Sequence, residues 1–202
     1  MKRFLITAPL LAALTNAPPA RPGASARAVQ SDAARSPLSD AAGANALTGT
    51  YRETESRDEE IGRKVLAATA HLEDDERARQ GRALMRILRA APLFSVEQYG
   101  TTFVLNYPDG ARVPYEADGR ERPFRATGGE TVNVRADLEG DKLTVDITWS
   151  GGERLRLCYG RAGGSDRLVF TRTAGNRYLP APVTVESVFE RVSPKATRSF
   201  KP

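Results

Sequence analysis

The stretch Glu130–Gly160, ETVNVRADLEGDKLTVDITWSGGERLRLCYG, decides how the chain is read. Leu143, Val145, Ile147 and Trp149 take every second position, and Lys142, Thr144, Asp146 and Thr148 fill the positions between. A strand turns successive side chains to opposite faces, so this pattern predicts one buried and one wetted face. Val132, Val134, Ala136 and Leu138 repeat the alternation before it, and Leu155, Leu157 and Tyr159 after it. The joints Glu139-Gly140-Asp141 and Ser150-Gly151-Gly152 are short and carry glycine, as tight hairpins require. The stretch therefore predicts a three-stranded antiparallel meander.

Outward from it, the rest of the chain after Leu93 is also strands and turns. Phe94–Glu97, Thr101–Tyr107, Ala111–Glu116, Arg122–Ala126, Arg167–Thr173 and Val183–Val192 read as further strands. Turns are expected at Tyr99-Gly100, Pro108-Asp109-Gly110, Ala117-Asp118-Gly119 and Gly128-Gly129. Before them, Leu47–Arg52 is a short extended run, taken as the first strand. Between this strand and the others the period changes to that of a helix. Ser56-Arg57-Asp58-Glu59 has capping-box spacing, and Ile61, Val65 and Leu72, with Leu66 beside them, form one apolar side. A second helix is expected from about Asp74 to Arg89, with Leu84, Met85, Ile87 and Leu88 apolar, acidic residues at its start and Pro92 beyond its end. The pattern predicts a mainly β domain over 47–193. It is an antiparallel up-and-down meander closing as a barrel or half-barrel, with a helical hairpin (57–90) inserted after the first strand.

Composition bounds the function. The formal charge is +5, but Lys2, Arg3, Arg21 and Arg27 lie in the first 28 residues and Lys195, Arg198 and Lys201 in the tail. Subtracting those seven from 30 basic residues leaves 23 against 25 acidic ones, a net of −2. Such a body lacks the basic footprint of phosphate binding, so no nucleic-acid partner is expected. Lys2 and Arg3 precede the apolar run Phe4–Leu14, which is too short to span a bilayer, and small residues suited to cleavage follow, Ala24-Ser25-Ala26 or, alternatively, Ala20. Residues 1–26 thus read as a signal peptide, giving an exported, periplasmic or extracellular protein. Residues 27–46 read as a flexible linker and 194–202 as a disordered tail, and no later segment is a transmembrane candidate.

Candidate chemistry is sparse. Cys158 is the single cysteine and His71 the single histidine, so neither a disulfide nor a histidine-rich metal site can form within the chain. Asp137, Asp146 and Glu186 lie on strands with Arg135 and Lys142 nearby, and ion pairs across strands are expected of them rather than acid–base catalysis. No catalytic residue, metal ligand or cofactor is assigned, and an enzyme is the less favoured class. The aromatics carry more. Phe103, Tyr107, Trp149, Tyr159 and Phe170 would line the interior of a closed sheet, where a small lipophilic molecule could sit. The alternative is a filled core in a structural or protein-interaction module of the cell envelope.

With its signal-like start, Gly49-Thr50-Tyr51 opening the first strand and a run of hairpins, the chain resembles the calycins, the lipocalin-like group of secreted up-and-down barrels. In that group a G-x-W motif opens the first strand and a late basic residue packs across the ring. The resemblance places Tyr51 in the position of the Trp and implies that Arg191, in the last strand, is its cationic partner. It also implies a barrel that binds lipophilic ligands, and uncharacterised exported bacterial proteins share the layout.

Overall fold

The computed structural model describes residues 46–126, 129–162, 166–198 and 200. β1 (Gly49–Glu53) leads into the helices α1 (Asp58–Thr69) and α2 (Asp74–Leu88). β2 (Leu93–Tyr99), β3 (Thr102–Asn106), β4 (Arg112–Glu116) and β5 (Asp118–Arg125) follow. β6 (Thr131–Glu139), β7 (Lys142–Trp149) and β8 (Arg154–Arg161) are the meander, and β9 (Arg167–Gly175) and β10 (Val183–Ser193) complete the chain. All ten strands form one antiparallel sheet in the order β4-β3-β2-β1-β10-β9-β8-β7-β6-β5.

The meander has the expected register. Val134 faces Ile147, Ala136 faces Val145, and Val145 in turn faces Leu157. Every one of these side chains is buried, whereas Arg135, Asp146 and Arg156 alternate with them on the outer face. Gly140 and Gly152 take positive φ at 61° and 86° in the two connecting turns, a region that residues with a Cβ avoid.

Closure comes from the pairing of β1 with β10, which sets Tyr51 opposite Arg191 and Glu53 opposite Phe189. Pairing the first strand with the last leaves β4 and β5 as the two edges. Only Ala117 separates them in sequence, yet they do not pair. The expected hairpin at Ala117-Asp118-Gly119 is therefore absent, and the weak strand starts earlier, at Asp118. β5 is irregular at this point: the partner of Asp118 is Asp137 but that of Glu121 is Arg135. Pro114 and Pro123 lie in these two edge strands, where a missing N–H costs least. The barrel is nearly closed, with this one seam.

The helical hairpin covers one end. α1 buries Ile61 and Val65, and α2 buries Leu84 and Leu88, each pair four residues apart on one helix face. The capping box does not form. The helix starts one residue later than Ser56 would need as N-cap, and the Ser56 hydroxyl instead accepts from the Asp58 N–H at 3.3 Å. At the turn between the helices, the Arg77 guanidinium donates to the Leu72 and Ala70 carbonyls, satisfying groups left open at the end of α1.

The hairpin is tied to the barrel on one side. Lys64 Nζ donates to the Thr184 carbonyl at 2.8 Å, His71 Nε2 to the Tyr178 carbonyl at 3.0 Å, and Asn176 Nδ2 to Gln80 Oε1 at 2.9 Å. Residues 194–198 carry no regular secondary structure and run along the outer face of β1 and β2. The Thr197 carbonyl accepts from Ser95 Oγ at 2.6 Å, the Lys195 carbonyl from Thr50 Oγ1 at 2.9 Å, and Arg198 meets the buried Glu97.

Candidate functional site: an aromatic cavity with a buried arginine

Inward-facing residues of the strands meet as a linked set of aromatic rings beneath the helical hairpin. Phe94 is its centre, with centroids 5.8 Å from Tyr51, 6.4 Å from Tyr107, 6.1 Å from Tyr159 and 5.0 Å from Phe189. Tyr159 and Phe170 stack at 4.3 Å with an interplanar angle of 10°. Beside these rings lies a cavity of about 60 Å³, bounded by β-strand residues below and by the end of α2 and the residues after it above. Four of the five aromatic candidates, Tyr107, Trp149, Tyr159 and Phe170, line it. Phe103 is fully buried in β3 but does not reach the cavity; it packs in the core.

The cavity also contains a charge that the aromatic pattern alone does not suggest. Arg172 is 1 % exposed and faces inward between Phe170 and Ala174. Its Nη2 donates to Ser187 Oγ at 2.6 Å, and its guanidinium carbon stands 4.9 Å from the centre of the Phe170 ring. Its Nε and Nη1 are buried with no hydrogen-bond partner. The Glu53 carboxylate is near enough for its charge to act on Arg172. Burial pushes the Glu53 carboxyl up from its usual value, and burial pulls the Arg172 guanidinium down from its own. An arginine nonetheless stays protonated in proteins, and a buried cation without full hydrogen bonding costs several kcal/mol.

Three tyrosine hydroxyls share the interior. Burial pushes the Tyr107 hydroxyl up to about 12 and the Tyr159 hydroxyl well above its ordinary value. The Tyr115 hydroxyl is buried without a partner.

Outside the barrel, a wider groove of about 1120 Å³ runs between α1, α2 and the β3–β4 turn. Its floor includes Leu66, Ala78, Met85, Pro92 and Pro108. Leu66, expected on the apolar side of α1, is 64 % exposed here. Arg86, Arg89, Ala90, Ala91 and Tyr107 face both the groove and the cavity.

The pair drawn from the calycin resemblance is joined differently from the expectation. Tyr51 is buried, and its hydroxyl donates to the Leu47 carbonyl at 3.0 Å. Arg191 lies opposite it in the β1–β10 register, but its guanidinium donates to the Thr48 and Pro194 carbonyls and lies 3.7 Å from Asp166. The cations found over rings among the described residues are Arg172 on Phe170 and Arg177 on Tyr178. Gly49 explains the first position of the motif, since a Cβ there would stand 2.6 Å from Arg191 Nε and 2.9 Å from the Ser193 carbonyl.

Of the three strand carboxylates expected to pair across strands, Asp146 does so, with Arg156 at 2.7 Å; Asp137 pairs within its own strand, with Arg135 at 3.0 Å, and Glu186 makes no ion pair among the described residues. Cys158 lies half-buried, 3.7 Å from the Thr144 hydroxyl.

No family model matches the chain, and no curated protein matches it in sequence. Among solved structures, a luciferase domain from the dinoflagellate Lingulodinium polyedrum superposes with a TM-score of 0.50 at 11 % identity, over 74 % of this chain and 42 % of that one. The chain thus spans less than half the length of that luciferase domain. Lipid binding protein 8 of Caenorhabditis elegans gives 0.46 at 12 % identity, over 72 % of this chain and 95 % of that one. The fatty-acid-binding protein of Manduca sexta gives 0.42 at 17 %, over 71 % and 98 %. At such identities a likeness concerns the fold. The fold they have in common with this chain is an antiparallel up-and-down barrel.

Proposed function

We propose that the protein binds a small lipophilic anion, with its charged head at Arg172. The observation that carries this reading is the unpartnered Nε and Nη1 of Arg172, buried in a cavity otherwise walled mainly by apolar and aromatic side chains. A carboxylate accepting from both nitrogens would supply charge and hydrogen bonds together, and a charge-assisted bond is about twice as strong as a neutral one. The surrounding rings would take the apolar body. Native mass spectrometry of freshly purified protein, with a fatty-acid titration followed by Trp149 fluorescence, tests the reading. A bound acidic species and saturable quenching are expected. Failure of carboxylate lipids to bind, whether or not neutral lipids do, would overturn it.

A second reading has an observation of its own. The cavity holds only about 60 Å³, about two water volumes. A core so nearly filled by its own rings suits a structural or interaction module that presents an outer face to an envelope partner. Retention of a partner by the Arg172→Leu variant, with no lipid bound by either form, is the outcome this reading expects.

We further infer that the chain is exported. The basis is Lys2-Arg3 ahead of the apolar run Phe4–Leu14, which lies outside the described residues together with the linker to 45. Fractionation of cells with sequencing of the mature N-terminus checks this. Cleavage after Ala20 or Ala26 is expected, and an uncleaved cytoplasmic chain would refute it.

A further inference from the structure

Beside the aromatic cavity, on the outside of the barrel, lies a notch of different chemistry. It measures about 420 Å³ and sits between α2, the β7–β8 turn and the end of β9. Ligand sites measure about 300–1,000 Å³, so this one is toward the small end. Its floor is apolar, with Leu84 and Ile87 of α2, and the half-buried Trp149 belongs to the wall it shares with the cavity. Its rim is polar and held in place. Gln80 is 9 % exposed, and its amide is fixed at both ends. Nε2 donates to Glu76 Oε1 at 2.7 Å, and Oε1 accepts from Asn176 Nδ2 at 2.9 Å. Asn176 Oδ1 accepts in turn from the Tyr178 N–H at 2.9 Å. Each amide nitrogen carries two hydrogens, so in these bonds each uses one. Glu130 and Glu153 also line the notch, both exposed and without an ion pair among the described residues, and Arg86 stands with them. Gly151 gives Glu153 its place. A Cβ there would stand 2.9 Å from Glu153 Oε1 and 3.0 Å from its carboxyl carbon, so glycine lets the carboxylate lie against the turn.

Charge restricts the occupant. Two carboxylates repel an anion, a guanidinium repels a cation, and a purely apolar body would leave the polar rim without partners. A neutral molecule with hydroxyl groups meets all three conditions, since each hydroxyl both donates and accepts. Its C–H face also suits an aromatic ring, which is apolar across its body. We propose that the notch binds a neutral saccharide of one or two rings, packed on Trp149. Its hydroxyls donate to Glu130 and Glu153 and accept from the Gln80 and Asn176 amides. The site lies outside the barrel interior and does not rest on the anion reading.

The test titrates the full protein with glucose, galactose, N-acetylglucosamine, maltose, cellobiose and chitobiose, with choline as the cationic control. Calorimetry gives the affinity, and emission from Trp149, the single tryptophan of the chain, reports the wall of the notch. At least one of these sugars binds saturably and changes the emission, and choline does not bind. Glu130→Ala and Glu153→Ala each weaken that sugar by at least about tenfold, as loss of a hydrogen bond to a charged group does. Both positions are exposed, so the fold survives, and circular dichroism checks it. Gly151→Ala also weakens the sugar, by displacing the Glu153 carboxylate, at a residue whose φ is not positive. Saturating octanoate leaves the sugar isotherm unchanged. Binding of none of the sugars would overturn the proposal, as would full affinity in both glutamate variants. Displacement of the sugar by octanoate would put it in the aromatic cavity and overturn the proposal too. Octanoate binding measured alone tests the anion reading separately, so the two failures are told apart.

Discussion

At the scale of single residues, Arg172 and Gly49 show how position decides role. In β9, Leu168, Phe170, Arg172 and Ala174 share one parity, so the strand alternation already placed Arg172 inside. The aromatic pattern drew attention to Phe170 and past its charged neighbour. Replacing Arg172 with Leu is expected to lower the affinity for carboxylate lipids by about tenfold or more, since a hydrogen bond to a charged group contributes about 1.5–3 kcal/mol. The thermal midpoint should stay level or rise, because apolar replacements of buried charges are often neutral or stabilising. A binding isotherm and a melt on one sample check both halves. Gly49 is a question of space. Gly49→Ala is expected to destabilise by about 1–3 kcal/mol, as overpacking does, and urea unfolding measures it. The cost should fall in the double variant with Arg191→Ala, because the added Cβ would meet Arg191 Nε first.

Among the elements, residues 194–198, expected as part of an unstructured tail, lie against β1 and β2. The tail has no periodicity to announce it, and it is held by partners far away in sequence. Glu97, 4 % exposed, shows the consequence. Burial pushes its carboxyl up, but hydrogen bonds from Tyr99, Arg198 and Asn106 outweigh this and hold it below the usual carboxylate value. A folded-state pKa below the unfolded one stabilises the fold above the unfolded value, and that contribution is lost as the pH falls through the folded value. The variant Arg198→Ala should therefore be less stable than the parent near neutral pH, by a modest amount because Arg198 is itself exposed. The gap should close below about pH 4, the unprotected carboxylate range. Urea midpoints at about pH 7 and about pH 3 read this directly, and a gap that persists in acid would contradict it. In the hairpin, the periodicity of Ile61, Val65, Leu84 and Leu88 was legible and these four are buried. Leu66 was grouped with them and is not, because α1 turns that side toward the groove rather than the barrel.

For the whole molecule, the expectation of a barrel or half-barrel resolves into ten strands with one seam. The pairing of β1 with β10 closes the barrel, joining residues near 51 and 191. Ligand that binds only the folded chain raises its stability by mass action, by about 2.7 kcal/mol at a hundredfold excess over Kd. A carboxylate lipid at that excess should therefore raise the thermal midpoint by several degrees, and the shift should vanish in Arg172→Leu.

What the sequence determined by itself is what local rules govern. Alternation from Glu130 to Gly160 set the meander, its glycines set the two turns, and the change to a period of 3.6 set the hairpin. The same alternation put Tyr107, Trp149, Tyr159 and Phe170 on one inward face, and all four line the cavity. Tertiary structure alone decided the rest. Whether β4 and β5 would pair, whether Phe103 would reach a space, and whether Arg191 would lie over a ring or bond to carbonyls all depend on contacts between residues distant in the chain. So does the small volume left among the rings. Leu143, Val145, Ile147 and Trp149 do face inward, with the first two in the packed core and the last two at the cavity wall. The physical reason is that parity fixes the face a side chain takes, while the width of a space depends on packing across the whole barrel.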